Sequence, residues 1–254
     1  MNIEDYLITN DGLKINYNFQ NNNSQTLVFI HGLAMNIDSW HHQLEHFKED
    51  YSILAYDLRG HGKSSKPKDI KYYSLENFVE DIDTLTNHLE ITKFNIIGFS
   101  LGGSIALRYA QLKPEKIDKL IAINAPYTLD YVRKSFFYQL EAARKMPKML
   151  ISLGLNKEPI WKYKGKLNTY RKCFLECDIN AVMNIIKVFK QIKPELNINV
   201  EHLLIHSRDD EIVKPEPLSQ SHIFIEKGHH YVIAQKPEEV NNIISSFLKK
   251  SQKA

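Results

Sequence analysis

Gly98-Phe99-Ser100-Leu101-Gly102 sets a serine between two glycines, after the apolar run Phe94-Asn95-Ile96-Ile97 and before the helical pattern Ser104–Ala110. Strand, tight turn and helix is the setting in which such a serine serves as a nucleophile held in strained backbone. Side chains at positions 98 and 102 would collide with the neighbouring strand and helix, so both are glycine. The hydroxyl then stands at the top of a sheet, where the start of the following helix favours negative charge.

A serine needs a base, and the base needs an orienting acid. In this architecture the chain order is Ser, then Asp or Glu, then His. Gly228-His229-His230 follows the last expected strand. His229 is the preferred base, because the glycine before it lets the loop bring the ring inward, and His230 is its competitor. The acid belongs on Ser207-Arg208-Asp209-Asp210-Glu211-Ile212-Val213. Asp210 is preferred, since Ile212 and Val213 can anchor the loop against the core; Asp209 and Glu211 stay open. The other acid location, after the strand ending near Ile123, carries Asn124, which cannot act as a carboxylate. His31-Gly32-Leu33-Ala34 follows another strand, and its glycine lets the Leu33 N–H point into the site. With the Leu101 N–H it makes a two-donor oxyanion hole.

These parts demand a layered frame. Strands are expected near Tyr6–Thr9, Lys14–Phe19, Thr26–Ile30, Ser52–Tyr56, Phe94–Phe99, Leu120–Asn124, His202–His206 and His222–Ile225. Helical patterns such as Leu75–Leu89 and Pro237–Leu248 lie between or after them. Apolar strands alternating with amphipathic helices imply an α/β class, a mostly parallel sheet covered on both faces, with ligands beyond the carboxyl ends of the strands. Between Asn124 and Glu201 about 75 residues break this rhythm. They read as helices over 129–145, 160–175 and 179–192. The division is therefore a core of residues 1–126 and 199–254, with a helical lid at 127–198.

Composition bounds the rest. The chain has 254 residues, 43% of them hydrophobic, and a net charge of +3, too small to argue for nucleic acid. No basic-then-apolar leader and no membrane-length apolar run is evident, so a cytoplasmic protein without membrane attachment is expected. Cys173 and Cys177 fit a reducing compartment and lack further metal ligands nearby. His42 and His46 share a helix face but lack a third ligand. Asp57-Leu58-Arg59-Gly60-His61-Gly62-Lys63-Ser64 lacks phosphate-loop spacing and reads as a shaping loop. No metal or organic cofactor is implied.

With His31-Gly32-Leu33, Asp57–Ser64, Gly98–Gly103, the Asp210 loop and Gly228-His229, the chain resembles the α/β-hydrolase superfamily over nearly its whole length. Serine at the elbow separates it from the aspartate-based epoxide hydrolases and haloalkane dehalogenases. Within the superfamily it resembles small lidded carboxylesterases, among them the pimeloyl-acyl-carrier-protein methyl ester esterases and the 3-oxoadipate enol-lactonases. Ser207, where that family often has glycine, is a departure that keeps the choice of acid open. The resemblance implies a serine hydrolase acting on a small-molecule carboxylic ester. Carbon–carbon cleavage or elimination on the same scaffold, and a slow ligand receptor, are the rivals.

The segment 127–198 holds 14 Lys and Arg against 6 Asp and Glu. Arg133, Arg144 and Lys148 are candidates to meet an anionic partner, a substrate carboxylate or an acidic acyl carrier protein. Phe136, Phe137, Trp161 and Tyr170 are candidates to line an acyl pocket beneath them.

Overall fold

Short runs of β-branched and aromatic residues without polar alternation build the centre of the sheet. Thr26–Ile30 (β3), Ser52–Tyr56 (β4) and Phe94–Phe99 (β5) are buried at every position, as strands covered on both faces must be. The computed structural model describes residues 2–126, 128–145, 173, 176–189, 198–214 and 222–249. Five further strands complete the sheet: Asn2–Ile8 (β1), Lys14–Gln20 (β2), Ile117–Ile123 (β6), Glu201–Ser207 (β7) and His222–Ile225 (β8). Their order is β1-β2-β4-β3-β5-β6-β7-β8. The β1–β2 and β2–β4 pairs are antiparallel; every pair from β4 to β8 is parallel. This is the α/β-hydrolase fold that the sequence implied.

Among the described residues the α-helices are His41–Phe47 (α1), Leu75–His88 (α2), Leu101–Leu112 (α3), Lys134–Lys145 (α4), Ile179–Phe189 (α5), Val232–Gln235 (α6) and Pro237–Lys249 (α7). α2 begins where the Ser74 hydroxyl accepts from the Asn77 N–H, with Glu76 in its first turn and His88 in its last. One sheet face packs against α2, α3 and α5 through residues such as Phe78, Ile82, Ile105 and Ile185. The other packs against Trp40, Phe47 and the apolar side of α6 and α7 (Ile233, Val240, Ile244).

Register aligns the carboxyl ends on one edge. Ile30 pairs with Gly98, Phe99 with Ile123, Ile123 with Ile205, and Ser207 with Ile225. The residues that follow these strands (His31, Ser100, Asn124, Arg208 and Glu226) therefore emerge side by side. The expected single helix over 129–145 is instead a 3-10 turn, Leu129–Tyr131, followed by α4. The break has a cause. Val132 forms an antiparallel bridge with Val213, Arg133 N–H donates to Ile212 O, and Lys214 N–H donates to Tyr131 O. The start of the 127–198 segment is thereby pinned to the loop after β7.

Candidate active site

Ser100 sits at the β5–α3 junction with φ 52° and ψ −119°, a left-handed conformation costly for a residue with a Cβ. Close packing around it holds the turn. A Cβ at position 98 would collide with the Gly102 carbonyl, and one at position 102 with the Ile30 carbonyl. The Ser100 N–H donates to Ile123 O at 2.8 Å, and Ser100 O accepts from the Ser104 N–H at 3.1 Å. The side chain is thus presented at the start of α3, where the first-turn amides favour developing negative charge.

Asp210 follows β7 and is 3% exposed, whereas Asp209 is exposed. One carboxylate oxygen of Asp210 accepts from the Ile212 N–H (2.8 Å) and the Val213 N–H (2.7 Å). The other accepts from His230 Nδ1–H at 2.8 Å. With the proton on Nδ1, His230 Nε2 is free to accept from the Ser100 hydroxyl, at 3.1 Å. The histidine between acid and serine is therefore His230, and the expectation of His229 is corrected. The His229 ring is 42% exposed and lies 3.5 Å from Glu211 Oε2. The physical reason lies one residue upstream. Lys227, not Gly228, takes the positive φ (52°) that turns the chain after β8. Neighbouring side chains along the loop then face opposite ways: His229 outward, and His230 inward against Phe99, with ring centroids 5.2 Å apart.

Asn124 proves to be the clamp of this edge. Fully buried with φ 46°, a conformation that Asn tolerates, it accepts from the Ser207 N–H at 2.7 Å. Its Nδ2 donates to Ser207 Oγ (2.9 Å) and to His230 O (2.8 Å). One amide thus joins the acid loop to the base loop. Glu211, kept open as an acid, accepts from the His230 N–H at 3.1 Å and so holds backbone. Its only sequence signal was proximity to Asp210; that of Asn124 was its place at the end of a strand.

The loop after β3 is fixed by two buried histidines. Leu58 N–H donates to His31 Nε2 (3.0 Å), and His31 Nδ1–H donates to Gly32 O (2.8 Å). Ala34 N–H donates to His61 Nε2 (3.0 Å), and His61 Nδ1–H faces Arg59 O (3.2 Å). Burial holds both rings neutral, pushing His31 down to about 4 and His61 to about 3. The Asp57 carboxylate accepts from the Ile37 N–H, the Lys63 N–H and Asn16 Nδ2 at 2.8–3.0 Å, so Asp57–Ser64 is indeed a shaping loop. Leu33 and Leu101 border the same cavity as Ser100, and among the described residues neither amide donates to a backbone carbonyl.

That cavity holds about 330 Å³ and is walled mainly by apolar side chains, in the size range of a small-molecule site. Phe136 and Phe137 line it, as expected. Arg133 does not: it is exposed and its Nε donates to Asp210 O at 3.4 Å. Lys148, Trp161, Tyr170 and the Arg144 side chain lie outside the described residues, as does nearly all of the helix expected at 160–175.

Comparison with known proteins bears on the fold and the family. The alpha/beta hydrolase fold family matches residues 25–150. Epoxide hydrolase 1 of Caenorhabditis elegans is 30% identical over 89% of this chain, which spans 65% of that relative's length. A putative esterase/lipase of Haemophilus influenzae is 30% identical over 93% of this chain and 89% of its own. The enol-lactonase structure from Burkholderia xenovorans LB400 superposes with a TM-score of 0.81 at 18% identity, covering 97% of this chain and 100% of that one. These relatives are hydrolases, no helix among the described residues is long and apolar enough to cross a membrane, and the chain belongs to the α/β-hydrolase family.

Proposed function

We propose that the protein hydrolyses carboxylic esters through an acyl-enzyme on Ser100. The observation that carries this is the single ring of His230, 2.8 Å from Asp210 and 3.1 Å from Ser100. As Ser100 Oγ bonds to the ester carbonyl carbon, His230 Nε2 takes its proton. The carbonyl oxygen becomes an oxyanion beside the Leu33 and Leu101 amides. Collapse breaks the carbon–oxygen bond, and His230 returns the proton to the leaving alcohol. Water, activated by the same ring, repeats the cycle and frees the acid. Asp210 keeps Nδ1 protonated and stabilises the imidazolium.

The epoxide hydrolases among the relatives raise epoxide opening as a second reading. Chemistry at Ser100 argues against it. A serine alkoxide that opened an epoxide would form an ether, and a triad built for acyl transfer has no carbonyl there for water to attack. Water releases an acyl ester from this nucleophile but not an ether.

We further read residues 127–198 as a lid whose excess positive charge receives an anionic partner, an acidic acyl carrier protein bearing the acyl chain. Its support is the contrast between 14 basic and 6 acidic residues there and 19 basic and 24 acidic elsewhere. The test of the reaction itself is labelling by a serine-directed phosphonate ester, followed by peptide mapping. The expected result is one adduct, on Ser100, with hydrolysis lost in step. Full ester hydrolysis by Ser100→Ala would overturn the reading.

A further inference from the structure

The cavity runs along α3: Ser100 and Leu101 at the start of the helix, Ser104 and Leu107, then Arg108 and Gln111 toward its far end, all line it. Leu101 to Arg108 is seven residues of helix, or about 10 Å at ~1.5 Å each. An extended chain advances ~1.2 Å per bond, so about eight bonds separate a carbonyl at Ser100 from the far end. The walls between are mainly apolar, with Leu107 and Val132, and Ile186 and Phe189 of α5; Ser104 also lines them, its hydroxyl spent on Pro126 O.

The far end is not apolar. Arg108 Nη2 donates to Glu76 Oε1 at 3.1 Å, and Nη1 reaches Gln111 Oε1 only at 3.4 Å. Its Nε is buried without a hydrogen-bond partner among the described residues. The Arg108 side chain is 35% exposed, so solvent serves its outer donors, and it is the buried Nε that an apolar chain would leave unpaired. Glu76 is 63% exposed and holds Arg108 by a weak rim pair, yet its charge stays close enough to repel a second carboxylate. A neutral acceptor meets no such repulsion.

Resting on the ester-hydrolase reading, we propose that Arg108, flanked by Glu76 and Gln111, reads a neutral hydrogen-bond acceptor (hydroxyl or carbonyl) at the distal end of a medium-length acyl chain. The preferred substrate class is then an ester of an ω-oxygenated acid of about eight carbons, not of a plain fatty acid.

The test compares kcat/KM for nitrophenyl esters of octanoic acid, 8-hydroxyoctanoic acid and suberic acid (one carboxyl free). The wild-type protein should favour the hydroxy chain over the plain chain by about tenfold, and over the carboxylate chain as well. A purely apolar pocket would favour the plain chain. Arg108→Met should reverse the hydroxy preference, and Glu76→Gln should raise the relative rate on the carboxylate chain. A wild-type preference for octanoate, or a ratio unmoved in a folded Arg108→Met protein, overturns the proposal. If Arg108→Met does not fold, the wild-type ratio alone decides. Ser100-dependent hydrolysis of all three without preference refutes this inference and spares the esterase reading; no hydrolysis of any ester refutes both.

Discussion

At the scale of single residues, the acid is distinguished by burial and by its backbone donors. Asp210 takes two loop amides on one oxygen and the imidazole on the other, while Asp209 is exposed. Asp210→Asn should lower kcat by about 10³- to 10⁴-fold, because an amide can donate to Nδ1 and favours the wrong tautomer. Asp209→Asn should stay within a few-fold of wild type. Steady-state assay of the purified pair on one ester checks both, and a mild Asp210→Asn with a crippled Asp209→Asn would reverse the assignment. Ser100 and Asp210 were legible from sequence, since a glycine-flanked turn and an anchored acidic loop each have one geometry. The base was not. The argument for His229 placed the turn at Gly228, but the positive φ falls on Lys227, and that shift of one residue exchanges the inward ring. The apolar run Tyr231–Ala234 directly after His230 marked where the chain returns to the core.

At the scale of elements, the central strands were legible to the residue. β3, β4 and β5 have the bounds that their apolar runs announce, because burial on both faces leaves no ambiguity of period. The break between Tyr131 and Lys134 was not legible. It depends on a bridge to Val213, a partner about 80 residues away that no local pattern encodes. Two clamps support the site's loops and give measurable consequences. Arg59 is 1% exposed and bonds Asp81 through two nitrogens at 2.6 and 2.7 Å, with Asp11 a third contact. Asp81→Ala would leave a buried guanidinium poorly paired, and urea denaturation should show a loss of about 3 kcal/mol or more. The neutral histidines give a pH signature. With folded values near 4 for His31 and near 3 for His61, both below the ordinary 6.5, the unfolded chain binds protons that the folded one refuses. Their contribution is complete above about pH 6.5 and is lost as pH falls through the folded values. Between pH 6.5 and 4 the wild-type stability should therefore fall more steeply than that of His61→Gln. Parallel curves would show that His61 does not titrate with unfolding.

At the scale of the molecule, charge and chemistry are unevenly distributed. The positive excess lies between β6 and β7, and the remainder of the chain is net negative. If that excess receives an acidic carrier, KM for a carrier-linked ester should rise as added salt shortens the Debye length from ~10 Å toward ~3 Å, while a small neutral ester is little affected. Charge reversal at Arg144 and Lys148 should do the same; Arg133 is excluded because it bonds the acid loop. Equal salt sensitivity for both substrates would refute a charged partner. The sheet brings residues from five strand ends to one edge, and the whole arrangement converges on a single imidazole. The most direct measurement is therefore pre-steady-state acylation of Ser100 by a nitrophenyl ester in His229→Ala and His230→Ala, each first shown to be folded by its thermal transition. His230→Ala should acylate about 10⁴-fold more slowly than wild type, and His229→Ala within about tenfold of it. Fast acylation in His230→Ala, or its collapse in His229→Ala alone, would contradict the account.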